Sequence, residues 1–175
     1  MKTYLLLLAA LLGLSQCHKK DPEPVDQLPP ATQTGANTFG CLVNGQGWTP
    51  QGYNGRSNYS LVYDAGYRNG TLNISTYRYG GNGSPDVQYI TLASDSLKAI
   101  GRYPLTIPHH QEALFSDSRT KCEFLGGDPY YRRGTLTITR LDLQAGIISG
   151  TFEFTLAKPG CDTIKITQGR FDKRL

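Results

Sequence analysis

Alternation with a period of two between Gly134 and Asp172 constrains this chain more than any other feature. Leu136 and Ile138 alternate with Thr135, Thr137 and Thr139, then Phe152, Phe154 and Leu156 with Thr151, Glu153 and Thr155. Ile164 and Ile166 alternate with Thr163, Lys165 and Thr167. Successive side chains of a strand point to opposite faces, so each run has one apolar and one polar face. Three such runs, separated by turn residues, predict an antiparallel meander that must bury its apolar side against a second layer.

The upstream sequence supplies that layer. Phe39, Cys41 and Val43 alternate, Asn44-Gly45 signals a tight hairpin, and Trp48 opens the return strand. Further strands are predicted at Tyr59–Tyr63, Leu72–Tyr79 and Val87–Ala93. The phase slips between Ile74 and Tyr77, which predicts a bulge or an exposed aromatic end. Gly101 to Ile107 reads as an edge strand, because Pro104 lacks the donor that a central strand needs. Glu112 to Asp117 and Lys121 to Phe124 read as a short hairpin. Gly45, Gly134, Gly146 and Gly160 fall where turns favour positive φ, whereas Gly150 and Gly169 lie inside strand patterns, as at a bulge or close backbone crossing. No segment has a sustained helical period. The fold class is all-β, an antiparallel sandwich or flattened barrel ending in a three-stranded meander.

The N-terminus lies outside that fold. A short basic start precedes an apolar run from Tyr4 to Leu14, the length of a signal-peptide core and too short to span a bilayer. Leu14-Ser15-Gln16-Cys17 resembles the lipobox of bacterial lipoproteins, which implies cleavage after residue 16 and diacylation of Cys17. Residues 17–38 carry Pro22, Pro24, Pro29 and Pro30 among polar residues, so they are expected to form a lipidated, flexible tether. Residues 39–175 then form a single all-β domain of ordinary size.

The formal net charge is +4, scattered along the chain, and Arg132-Arg133 and Lys173-Arg174 are the only basic pairs in the folded part. Nucleic-acid binding needs a basic stripe that the sequence does not show. Of four cysteines, Cys17 is assigned to lipid, which leaves Cys41, Cys122 and Cys161 in a compartment that permits disulfides. Three pairings exist. Cys122 with Cys161 is preferred because sequential strands usually lie together, leaving Cys41 as a buried thiol. No Cys-x-x-Cys spacing points to zinc, and no cofactor fingerprint is present.

Catalytic chemistry has few candidates. His109 and His110 beside Glu112 form half a metal or acid–base site at most, and an exposed polar loop explains them as well. Eleven tyrosines are more suggestive. Tyr77, Tyr79, Tyr89 and Tyr103 are the candidate ligand face, with Tyr130 and Tyr131 beside them, although strand packing alone also favours tyrosine. Arg170 and Asp172 share a strand face, where a surface ion pair is the expected role.

Thr38-Phe-Gly-Cys-Leu-Val-Asn-Gly45 with Trp48-Thr-Pro50 resembles the opening of a family of uncharacterised Bacteroidota lipoproteins. Gly134-Thr-Leu-Thr-Ile-Thr-Arg-Leu-Asp142, Ile148-Ser-Gly-Thr-Phe-Glu-Phe154 and Thr167-Gln-Gly-Arg-Phe-Asp172 resemble its closing segments. The resemblance implies an envelope location, with a lipid anchor in the outer membrane facing the periplasm or the surface. It implies no activity. Lys19-Lys20-Asp21 resembles a surface-export signal. Asp95-Ser96-Leu97 and Asp162-Thr163-Ile164 resemble the O-glycosylation acceptor of exported proteins from this phylum. Ser96 is the preferred site, on a connection between strands, over Thr163 inside one. The expected protein is a non-catalytic envelope component binding a partner protein, polymer or glycan. A carbohydrate-binding accessory of a glycan-uptake system, marked by a tyrosine-lined groove, is the second reading. A hydrolase, marked by a cleft joining histidine with carboxylates, is the third.

Overall fold

The computed structural model describes residues 21–80, 84–106, 110–120, 122–126 and 130–175. Cys17 and His109 lie outside the described residues. Among the described residues ten strands follow in order: β1 (Thr38–Val43), β2 (Gln46–Trp48), β3 (Tyr59–Asp64), β4 (Thr71–Tyr79), β5 (Val87–Ser94), β6 (Gly101–Pro104), β7 (Gln111–Asp117), β8 (Tyr131–Asp142), β9 (Ile147–Ala157) and β10 (Ile164–Arg174). They form two antiparallel sheets, ordered β2-β1-β10-β9-β8-β6 and β3-β4-β5-β7. The sheets face each other as an open sandwich and do not close into a barrel.

The β8–β9–β10 meander is the backbone of the larger sheet, and its apolar face meets that of β3–β4–β5–β7. Leu136, Ile138, Phe152, Phe154, Leu156 and Phe171 pack in one cluster with Leu72, Ile74, Ile90, Leu92 and Phe115. Phe39 stacks on Phe152 with ring centroids 5.1 Å apart. Cys41 is free and fully buried in this cluster, and burial pushes its thiol far above the ordinary range. Such a thiol is inert.

β10 runs further than its alternation indicates. Its register against β9 shifts between Ile166 and Gly169, with Gln168 at φ 54°. One extra residue resets the phase, so Ile166 and Phe171 both face the core although five positions separate them. Pro104 does sit in an edge strand, since β6 pairs only with β8. The predicted return from β7 is reduced to one bridge, Phe115 to Phe124. Asn44 and Gly45 turn the β1–β2 hairpin with φ of 48° and 83°. Gly134 is not a turn residue. It lies inside β8, where a Cβ would meet the Phe154 Cβ at 2.4 Å.

The slip expected in β4 is neither a bulge nor an exposed end. β4 keeps continuous register with β3 and β5, and Thr76 and Tyr77 are both buried. Residues 51–58 fold over the outer face here. The Tyr77 hydroxyl donates to Arg56 O (2.6 Å) and accepts from Asn54 N (3.2 Å). A loop covering one face makes both phases of a strand bury.

Residues expected to be a free tether pack on the domain. Pro24–Gln27 form a 3₁₀ helix, Leu28 is 7 % exposed, and Pro29 lies against Gly40 of β1. Residues 32–36 then wrap the Asp172 carboxylate. It accepts from Thr32 Oγ1 (2.6 Å), Thr34 N (2.9 Å), Gly35 N (2.8 Å), Ala36 N (3.1 Å) and Ser149 Oγ (2.7 Å). Asp172 is therefore a buried anchor rather than half of a surface pair with Arg170. Burial pushes its carboxyl up, but the bonds from Thr32, Ala36, Ser149 and Thr34 outweigh that and hold it well below the usual carboxylate range.

Candidate functional site

The interior changes character at one end of the smaller sheet. Inward positions of β4 read Leu72, Ile74, Thr76, Arg78, those of β5 Gln88, Ile90, Leu92, and those of β7 Ala113, Phe115, Asp117. Cross-strand pairing places Arg78 opposite Gln88 and Gln88 opposite Asp117, so a polar row closes an apolar face. The facing sheet supplies the β1–β2 hairpin and the start of β10. Between them lies a cleft of about 520 Å³, with Trp48, Arg78, Tyr79, Asp86, Asp117 and Arg119 among its lining residues.

These groups are held in place before any ligand arrives. Trp48 Nε1 donates to Gln88 Oε1 (2.9 Å), and Gln88 Nε2 donates to Asp117 Oδ2 (2.6 Å). Arg119 grips the same carboxylate with Nε to Oδ1 (2.9 Å) and Nη2 to Oδ2 (2.5 Å). This two-pronged geometry fixes both partners. The Arg119 hydrogen bonds, aided by Gln88 against the effect of burial, hold the Asp117 carboxyl down at about 2. Arg78 Nη1 spans the sandwich to Gly47 O (3.0 Å). Asp162 completes the rim from the β9–β10 turn, beside Cys161.

The cysteine pair stands at that rim. Cys122 and Cys161 are joined, with Cα atoms 5.6 Å apart. Neither lies in a strand: Cys122 precedes the Phe124 bridge and Cys161 the start of β10. The bond therefore staples the smaller sheet to the larger one beside the cleft.

Of the four tyrosines expected to form one face, three come together and Tyr103 does not. Tyr77, Tyr79 and Tyr89 cluster on the outer face of the smaller sheet, with Tyr77 5.6 Å from Tyr79 and 6.0 Å from Tyr89. Tyr77 is covered, Tyr89 is exposed, and Tyr79 alone reaches the cleft. Tyr103 belongs to the other sheet, where its hydroxyl donates to Ala99 O (2.7 Å). His110 is exposed and sits 3.4 Å from Asp95, away from the cleft. Among the described residues no three His, Cys, Asp or Glu side chains are grouped to hold a metal ion. Ser96 is exposed on the β5–β6 connection, with φ 61° and Leu97 buried beside it. Thr163 is exposed as well and precedes β10, so strand membership does not separate the two acceptors.

The sequence reading missed the Arg78–Gln88–Asp117 row. The signal was present, because stepping back two residues from Ile90 reaches Gln88 and stepping on two from Phe115 reaches Asp117. A polar residue in the inward phase at a strand end marks a mouth or a buried network.

Among the described residues no helix is long and apolar enough to cross a membrane. No curated protein and no solved structure matches the chain. The family described as a domain of unknown function, DUF6252, matches residues 53–173, from the covering loop before β3 to the penultimate residue of β10, and the chain belongs to that family.

Proposed function

We propose that this is a non-catalytic binding protein of the cell envelope, and that the cleft at the Arg78–Gln88–Asp117 row is its binding site. The observation that carries the reading is the preset chain Trp48–Gln88–Asp117–Arg119 at the mouth of a ligand-sized cleft. Pockets that recognise small polar molecules pair an apolar wall with a few fixed polar groups. Here carboxylates and guanidinium groups alternate, which suits a hydroxyl-rich ligand that both donates and accepts. Calorimetry against a panel of oligosaccharides tests this. Arg78→Gln is expected to weaken binding by about tenfold through loss of a charged hydrogen bond. Equal affinity of the variant would remove the cleft from consideration.

The carbohydrate-accessory reading draws support from Tyr79, whose ring packs on Gly52 and borders the cleft. The anchor remains part of the same proposal. The apolar leader and Cys17 support lipidation and an outer-membrane location, with one protein–membrane contact through the lipid. Cys17→Ser is expected to shift the protein from the detergent phase to the aqueous phase on partitioning. A variant that partitions like the parent would contradict the anchor.

A further inference from the structure

The outer face of the larger sheet carries a second arrangement, opposite to the cleft side. Pairing aligns Arg102 of β6, Thr137 of β8, Thr151 of β9 and Arg170 of β10 in one row across four strands. The next outward row along β8–β10 brings Thr135 opposite Glu153, and beyond it Arg133, Thr155 and Lys165 align. Among the described residues none of Arg102, Arg133, Lys165 or Arg170 is ion-paired. The first row floors a groove of about 480 Å³ that also includes Glu153, and Ala31 of the docked N-terminal segment lines its edge.

We propose that this groove binds an acidic polysaccharide, a chain bearing carboxylate or sulfate groups. Arg102 and Arg170 stand three strands apart, about 14 Å at the usual strand spacing. Guanidinium groups clamp carboxylate and sulfate oxygens with paired hydrogen bonds. The threonine hydroxyls between them offer donors and acceptors to sugar hydroxyls, and Glu153 accepts from the same groups. Tyr131, 54 % exposed at the outward end of β8 beside Arg133, supplies a stacking surface. An anionic membrane is the weaker fit, because Glu153 at the centre of the groove repels a dense phosphate layer and the cations line a walled trough.

The test uses the Cys17→Ser full chain, so that a lipid anchor does not obscure the result. Probes are heparin, polygalacturonate, neutral dextran and phosphatidylglycerol vesicles. Binding to heparin or polygalacturonate but not dextran is expected. Arg102→Gln with Arg170→Gln should weaken it by about tenfold. Arg56→Gln with Lys98→Gln removes the same charge from exposed positions elsewhere and should leave affinity unchanged. Equal loss in both double variants would reduce the effect to net charge and overturn the site. Retained affinity in the groove variant would overturn it too, as would failure to bind either acidic polymer. Binding to vesicles alone would assign the face to a membrane instead.

Discussion

Replacing Cys122 and Cys161 by serine should lower stability by about 4 kcal/mol, the chain-entropy value for a closed loop of this size. The two residues are separated by 39 positions, and the loop between them contains the whole of β8 and β9. Without the bond, the stretch around Phe124 keeps its Phe115–Phe124 bridge to the smaller sheet but loses its covalent tie to the larger one. A loss of that size should reduce the melting temperature by roughly 10 °C for a domain of this length. The consequence reaches the cleft, because Cys122 lines it and Cys161 neighbours Asp162. The same variant should therefore bind cleft ligands more weakly at a temperature where it remains folded. Calorimetric melting of the oxidised, reduced and serine forms checks the first part. Identical melting of all three would mean the staple carries no strain-free constraint on the unfolded chain.

Asp172→Asn should free the N-terminal segment and cost about 2–4 kcal/mol. The carboxylate accepts from three successive backbone amides, Thr34, Gly35 and Ala36, and from the Thr32 and Ser149 hydroxyls. A carboxamide turns an N–H pair toward some of those donors and leaves them without acceptors. Hydrogen exchange should show amides 34–36 losing protection while β8 and β9 keep theirs. The pH dependence follows from the depressed carboxyl. Its stabilisation is complete above the unfolded value of about 4 and falls away as pH drops through the lower folded value. Docking should thus be constant from about pH 5 to 8 and weaken only in strong acid. Unchanged protection of 34–36 in the variant would contradict the anchor.

The meander was legible because its strands are buried on one face only, so alternation survives in the sequence. Where both faces are covered it does not. Tyr77 looked like a phase error because the cover over it comes from residues 51–58, which carry no strand signal of their own. Simple alternation in β10 stops at Thr167 because Gln168 and Gly169 break the period, and the bulge there continues the pairing to Arg174. The N-terminal segment was misjudged for a different reason. It docks mainly through backbone amides onto a single carboxylate, and composition does not record backbone donors. Its apolar contribution is essentially Leu28 and Pro29. The cleft row was readable in principle, but its counterpart wall comes from β2 and β10, which pairing and not sequence distance brings near.

Trp48 gives the most direct test of the cleft as the binding site. It is the only tryptophan in the chain, so its indole N–H gives one resonance that needs no further assignment, and that proton is hydrogen-bonded to Gln88 of the polar row. Titration of the labelled protein with envelope-derived oligosaccharides, followed by nuclear magnetic resonance, reads this proton together with the Arg119 side chain. Saturable shifts at both, lost in Arg78→Gln, are the predicted result. Saturable binding that leaves both signals unmoved would contradict the cleft as the site.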